Sequence, residues 1–387
     1  MMKHIVSITL KILIGLNALG LTGCSSFGAV NVPTPALTPT SAPIYVVTAS
    51  PTLLPFTGKI AFVSYDNMDN PHINVMNANG SDLVDITPVT NPPQKIEFLS
   101  WSPDGQYIIF QARKDDVMQI FTIRSDGSDF TQLTSGKDNS YSPSWSPNEQ
   151  YIAFAARKDG VMQIYKIKSD GSGVIQLTFG KNGDSFRPLW SPDGKNIIFK
   201  YSNPDILDST GLPGASQAYI MNSDGTEAHH LAVKTKPDNA IMTGSYRKDG
   251  LIAIEEVITR YAVANYVVNS EGEIQKQFPE FSTESPIVWS PDGKYVAYSP
   301  GYRVPGCFGI VVMKFDKSEN KCLIDQKSDS SVYFGQTSWS PDGKYIMFLS
   351  NLNGDYDLYA MRPDGSGLTQ LTNIPGHEDW AVWWSEP

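Results

Sequence analysis

The chain has 387 residues, 41% of them hydrophobic and 11% aromatic, which is enough for a substantial core and excludes a disordered chain. A formal net charge of −10 leaves no basic surface to neutralise phosphates, so nucleic-acid binding is set aside. The 31 glycines and 27 prolines predict many turns and few long helices, and three cysteines are too few for a disulfide scaffold.

At the N-terminus, Lys3 and Lys11 flank the start of an apolar run, Ile12 to Leu21. It is too short to span a bilayer and fits the apolar region of a secretory signal. The run ends in Leu21-Thr22-Gly23-Cys24, which resembles the bacterial lipobox. That resemblance implies export, removal of residues 1–23 and diacylation of Cys24. Two acyl chains give stable membrane attachment at about 0.8 kcal/mol per buried methylene, without a spanning helix. Residues 24–57 carry the lipidated cysteine and then Pro33, Pro35, Pro39, Pro43, Pro51 and Pro55 among threonines and serines. Such a segment favours extended conformations and reads as a stalk.

From residue 58 to the end the chain repeats itself. Trp-Ser-Pro-Asp-Gly begins at Trp101, Trp190, Trp289 and Trp339, with variants at Trp145 and Tyr246 and a terminal Trp384-Ser385-Glu386-Pro387. Successive spacings are 44, 45, 56, 43, 50 and 45 residues. A near-constant period with a few loop insertions is the pattern of propeller blades. Each motif is followed by a short apolar strand, such as Tyr107 to Phe110 or Tyr151 to Phe154. Next come a second strand ending in an Asp-Gly turn (Asp126-Gly127, Asp170-Gly171, Asp364-Gly365) and a third short strand such as Gln132-Leu133-Thr134. With the strand carrying the Trp, each unit has four strands. In the motif, Pro presets φ, Asp bonds the local backbone, Gly takes the left-handed position, and Trp fills the space between blades.

Residues 58–87 hold three strands of a unit without a Trp strand, and Asp379 to Ser385 is a Trp strand without followers. The two complete one blade and close the ring. The predicted fold is therefore all-β: a seven-bladed propeller of four-stranded antiparallel blades, its N- and C-terminal strands sharing one blade. The insertion around Pro204 to Ala215 is a loop within blade 4.

The repeat resembles the TolB-like, WD-like propeller family, which also supplies the non-catalytic propellers of prolyl-oligopeptidase-like peptidases. The resemblance covers 58–387. It implies a monomeric ring that meets ligands at the mouth of its central channel. TolB proteins carry an N-terminal α/β domain where this sequence has an anchor and stalk.

A peptidase needs a Gly-x-Ser-x-Gly elbow, and the sequence has none. His229 and His230 are adjacent on a predicted strand and point to opposite faces, so they make a poor chelating pair. Asp-rich turns such as Asp126 to Asp129 lack the spaced acidic loop of a calcium site. No metal or cofactor is expected. Cys307 and Cys322 fall on successive strands; a hairpin centred near Ser318 sets Cys322 opposite Lys314, so a disulfide needs a bent connection and is left open. The loops entering the Trp strands carry Glu97, Tyr141, Arg187, Glu284, Glu378, Asp379 and Trp380, and Phe186 and Phe334 read there as packing. Aromatics mixed with an Arg and acids suit a protein or peptide partner. The expected function is a non-enzymatic, lipid-anchored module that binds a protein, peptide or glycan of the envelope. The alternatives are a carbohydrate lyase or hydrolase using His377 with the neighbouring acids, and a scaffold subunit of an envelope complex.

Overall fold

The computed structural model describes residues 56–385, apart from 67, 91, 206–215, 232–239, 260–261, 279–286, 300–306, 308 and 325–331. The signal segment, Cys24, most of the stalk and Glu284 lie outside the described residues. So does most of the blade 4 insertion.

The described strands form seven four-stranded antiparallel sheets. Blade 1 joins Lys59–Tyr65, Pro71–Asn77 and Val84–Asp85 to the C-terminal strand His377–Trp384. Blade 2 runs Ile96–Trp101, Tyr107–Lys114, Val117–Arg124 and Thr131–Gln132. Blades 3 to 7 repeat this plan, beginning with Ser140–Trp145, Asp184–Trp190, Ala240–Tyr246, Val288–Trp289 and Phe334–Trp339. The result is a seven-bladed β-propeller.

The middle strands read as unbroken apolar runs, for instance Tyr-Ile-Ile-Phe in blade 2, because each blade is covered on both faces. Alternate side chains of one strand then serve two different interfaces. Ile108 and Phe110 pack toward blade 1, while Ile109 packs toward blade 3. Seven separate clusters of buried residues result, one for each junction around the ring. The outermost strands are short, often two residues, which leaves little free edge to pair with another chain.

The motif turn is held by more than its Pro, Asp and Gly. In blade 2 the Ser102 hydroxyl donates to Asp104 Oδ1 at 2.6 Å and accepts from the Tyr107 amide at 2.9 Å. The Gln106 amide donates to the same Asp104 oxygen at 3.0 Å. This Ser–Asp clasp recurs at Ser191–Asp193, Ser290–Asp292 and Ser340–Asp342, and as Ser146–Asn148 in the variant blade. The Asp-Gly turns are likewise local: Asp126 accepts from both the amide and the hydroxyl of Ser128.

At the closure the strand register corrects the sequence alignment by one residue. Trp383, not Trp384, lies opposite Ile60 as Trp101 lies opposite Ile108. Trp384 instead lids the first motif turn, its indole N–H donating to Pro103 O at 3.1 Å. Gly105 has φ +67°, and a Cβ there would sit 2.2 Å from the Trp384 ring. The glycine is thus fixed both by its backbone conformation and by the terminal indole.

Cys307 and Cys322 form a disulfide. Cys322 pairs with Val311 rather than Lys314, so the hairpin turns one to two residues earlier than expected, over Asp316-Lys317. The bend that carries Cys307 back precedes Val311.

Candidate functional site

In most blades the first strand carries one extra residue near its start. In blade 2, Glu97 pairs with Gln111 and Ser100 with Ile109, so two residues oppose one. The same shift occurs at Tyr141/Ser144, Phe186/Leu189, Gly335/Ser338 and Asp379/Val382. In these five blades the residue three before the blade Trp is left-handed: Phe98, Ser142, Arg187, Gln336 and Trp380, with φ between 48° and 57°. None is glycine, so each position costs about 1–3 kcal/mol that the fold must hold in place. Bulges of this kind re-aim a side chain.

Here they aim at the ring's centre. Phe98 of blade 2 stacks on Trp380 of blade 1, ring centroids 4.5 Å apart. The Arg187 guanidinium of blade 4 sits 5.8 Å from the Phe98 ring. Blades 2 and 4 are not neighbours, so this contact reaches past blade 3. Only side chains directed into the channel can meet this way. On the other side of blade 1, Gln336 of blade 7 donates to Asp379.

The predicted mouth residues divide into two groups. Glu97, Arg187, Asp379 and Trp380 lie at this constriction. Glu97 accepts from Gln111 Nε2 at 2.9 Å and pairs with Lys95 at 2.5 Å. Asp379 also accepts from the Trp380 amide at 2.9 Å. Tyr65 sits near both acids; burial first, then the charges of Asp379 and Glu97, push its phenol up to about 12.

Tyr141 instead packs against the cluster between blades 3 and 4, and Phe334 is 3% exposed in the cluster between blades 6 and 7. Glu378 is 1% exposed and turned into the junction of blades 7 and 1, accepting from the Thr372 hydroxyl at 3.1 Å. Burial first, then the charge of Asp357, push its carboxyl up to about 8. His377 is exposed and its ring stacks on Tyr65 at 4.5 Å. Glu378 faces the opposite side of the strand from His377 and Asp379, so the three do not converge. Among the described residues no three His, Cys, Asp or Glu side chains gather in a way that could hold a metal.

Sequence reasoning missed Phe98, Gln336 and Lys200. The first two stand three residues before a blade Trp, a position the repeat itself marks. Lys200 pairs with Phe186 on the second strand of blade 4 and is 7% exposed. It looks like an ordinary strand lysine in the sequence.

Comparison with known proteins agrees with this architecture. The TolB beta propeller domain family matches residues 40–212. The matched stretch is less than half of the chain, and what it shares with that family is the β-propeller repeat. No curated protein matches it. Among solved structures, TolB from Acinetobacter baumannii is 19% identical over 85% of this chain and 67% of its own, with a TM-score of 0.51. Dipeptidyl peptidase 4 from Porphyromonas gingivalis is 13% identical over 85% of this chain and 55% of its own, with a TM-score of 0.55. A puromycin-hydrolyzing peptidase from Mycobacterium tuberculosis is 12% identical over 81% of this chain, with a TM-score of 0.61. The chain matches about half the length of each peptidase. At these identities the likeness is one of fold.

Proposed function

We propose that this chain is an exported lipoprotein, anchored through Cys24, whose propeller binds a protein or peptide of the cell envelope without catalysing a reaction. The observation that carries the reading is the convergence of Phe98, Arg187 and Trp380 on the channel axis from three blades, each on a left-handed bulge. Strain repeated in one layer and aimed at one point has a use in recognition, and Trp and Arg are the side chains most often found at binding hot spots.

The entry of the chain supports the same arrangement. Phe56 packs against Tyr345 at 4.1 Å and Trp383 at 5.6 Å, on the face bearing the motif turns. The constriction lies toward the opposite face.

The test is cross-linking capture on intact cells, with wild-type protein and a Phe98→Ala/Trp380→Ala double variant of unchanged thermal stability. Loss of the captured partners in the variant is the expected result. Full retention of every partner would reject the mouth as the binding site.

A further inference from the structure

In a chain of net charge −10, two cations of blade 4, Arg187 and Lys200, act on each other at the channel constriction. Arg187 is exposed on its bulge, with its guanidinium near the Phe98 ring. Lys200, from the adjacent strand of the same blade, extends its ammonium to 5.3 Å from the Phe186 ring. The buried Glu255 carboxylate of blade 5 attracts Lys200, whereas among the described residues Arg187 makes no ion pair. The acids at the constriction differ: Glu97 is bound to Lys95 and Gln111, and Asp379 to Gln336 and the Trp380 amide. Both acids are thus already engaged, whereas Arg187 has no counter-ion among the described residues.

We infer that Arg187 and Lys200 receive a carboxylate carried by a peptide segment of the partner, a step that rests on the mouth reading and adds the chemistry of the group that enters. The guanidinium fork matches both oxygens of a carboxylate, and the ammonium supplies a point charge beside it. Burial, followed by the charge of Arg187, lowers Lys200 to about 8, with the Glu255 carboxylate opposing the shift. An arriving anion relieves the repulsion between the two cations, so binding draws a proton onto Lys200. A peptide fits better than a sugar acid. Sugars dock on open aromatic faces, whereas Phe98 is engaged by Trp380 and Arg187, and Phe186 by Lys200.

The test uses the full chain in detergent micelles and two soluble random hexapeptide libraries. One has free C-termini and all residue types; the other is amidated and lacks Asp and Glu. Wild-type protein is expected to enrich peptides at least tenfold more from the first library. Arg187→Gln abolishes that preference, Lys200→Met weakens it, and Arg187→Lys retains part of it. Peptide binding to the wild type at pH 8 is accompanied by proton uptake, which Lys200→Met removes. Equal enrichment from both libraries, or enrichment by Arg187→Gln equal to wild type, overturns the inference. Displacement of the bound peptides by oligogalacturonate at lower concentration than by the peptides themselves overturns the peptide assignment in favour of an acidic glycan. If cellular partners are lost with Phe98→Ala/Trp380→Ala but kept with Arg187→Gln and Lys200→Met, the mouth reading stands and this inference falls. If all three variants keep them, both fall.

Discussion

The indole N–H of Trp101 donates to the backbone carbonyl of Val382 at 3.1 Å, joining blade 2 to the last strand of the chain across 281 residues. Trp339 makes the matching bond to Val288 O at 3.2 Å. Trp190 is as deeply buried, at 7% exposed against 8% for Trp101, yet its indole N–H has no partner among the described residues. The same residue type thus performs different work in different blades. Trp101→Phe should cost about 1 kcal/mol for the lost bond in addition to any loss of packing. Trp190→Phe removes an unsatisfied buried donor, so its cost should be smaller than that of Trp101→Phe. Trp101→Ala should cost about 3–5 kcal/mol. Urea unfolding of the three variants checks the order, and equal costs for the two Phe variants would contradict it.

The junction of blades 7 and 1 gives the fold a pH dependence. Glu378 is raised to about 8 by burial and then by Asp357, and Asp357 to about 6 by burial and then by Asp355. An acid whose folded value is raised holds a proton that the unfolded chain releases. Its contribution is complete below the ordinary carboxylate value and is lost as pH climbs through the folded value. The unfolding temperature should therefore fall between pH 5 and about 8. Glu378→Gln should flatten that slope and be more stable than wild type at the upper end. Melting curves across the range decide it; an unchanged slope in the variant assigns the dependence elsewhere.

The disulfide between Cys307 and Cys322 spans 15 residues of blade 6. Loop-closure entropy for such a span is about 3 kcal/mol. Cys307→Ser/Cys322→Ser should lose stability of that order in denaturant titrations. Adding reductant should shift the wild type to the variant's midpoint and leave the variant where it was.

In the motif turn, Asn148 accepts from Ser146 Oγ at 2.8 Å and from the Gln150 amide at 3.2 Å, as Asp193 accepts from Ser191 Oγ at 2.6 Å and the Lys195 amide at 3.1 Å. The bond from Ser191 holds the Asp193 carboxyl below its usual range, so its contribution is present at neutral pH and lost on acidification. Asp193→Asn should be close to neutral at pH 7 and less sensitive to acid. Asp193→Ala should cost about 1 kcal/mol. Thermal melts at neutral and acidic pH separate the two.

The repeat made the fold legible because each blade solves the same local problem with the same residues: a clasped turn, an apolar run and an indole at a fixed interval. Closure was legible because the two chain ends each lacked what the other supplied. The register of the last strand was not, since Trp383 and Trp384 are both indoles and only pairing with Ile60 and Lys59 distinguishes them. The candidate site was half legible. Arg187, Asp379 and Trp380 stand out as charged or aromatic residues at a strand start. Glu378 stands out equally but turns the other way, because neighbours along a strand face opposite sides.

What the sequence determined is the local and periodic part: strand, turn and interval follow from side-chain size and backbone preference over a few residues. What only the tertiary structure decided is which side chains from distant blades meet on the axis. Phe98 and Arg187 are 89 residues apart and share no local pattern beyond their distance from a Trp. Their meeting depends on bulges that turn both side chains inward from blades that are not neighbours.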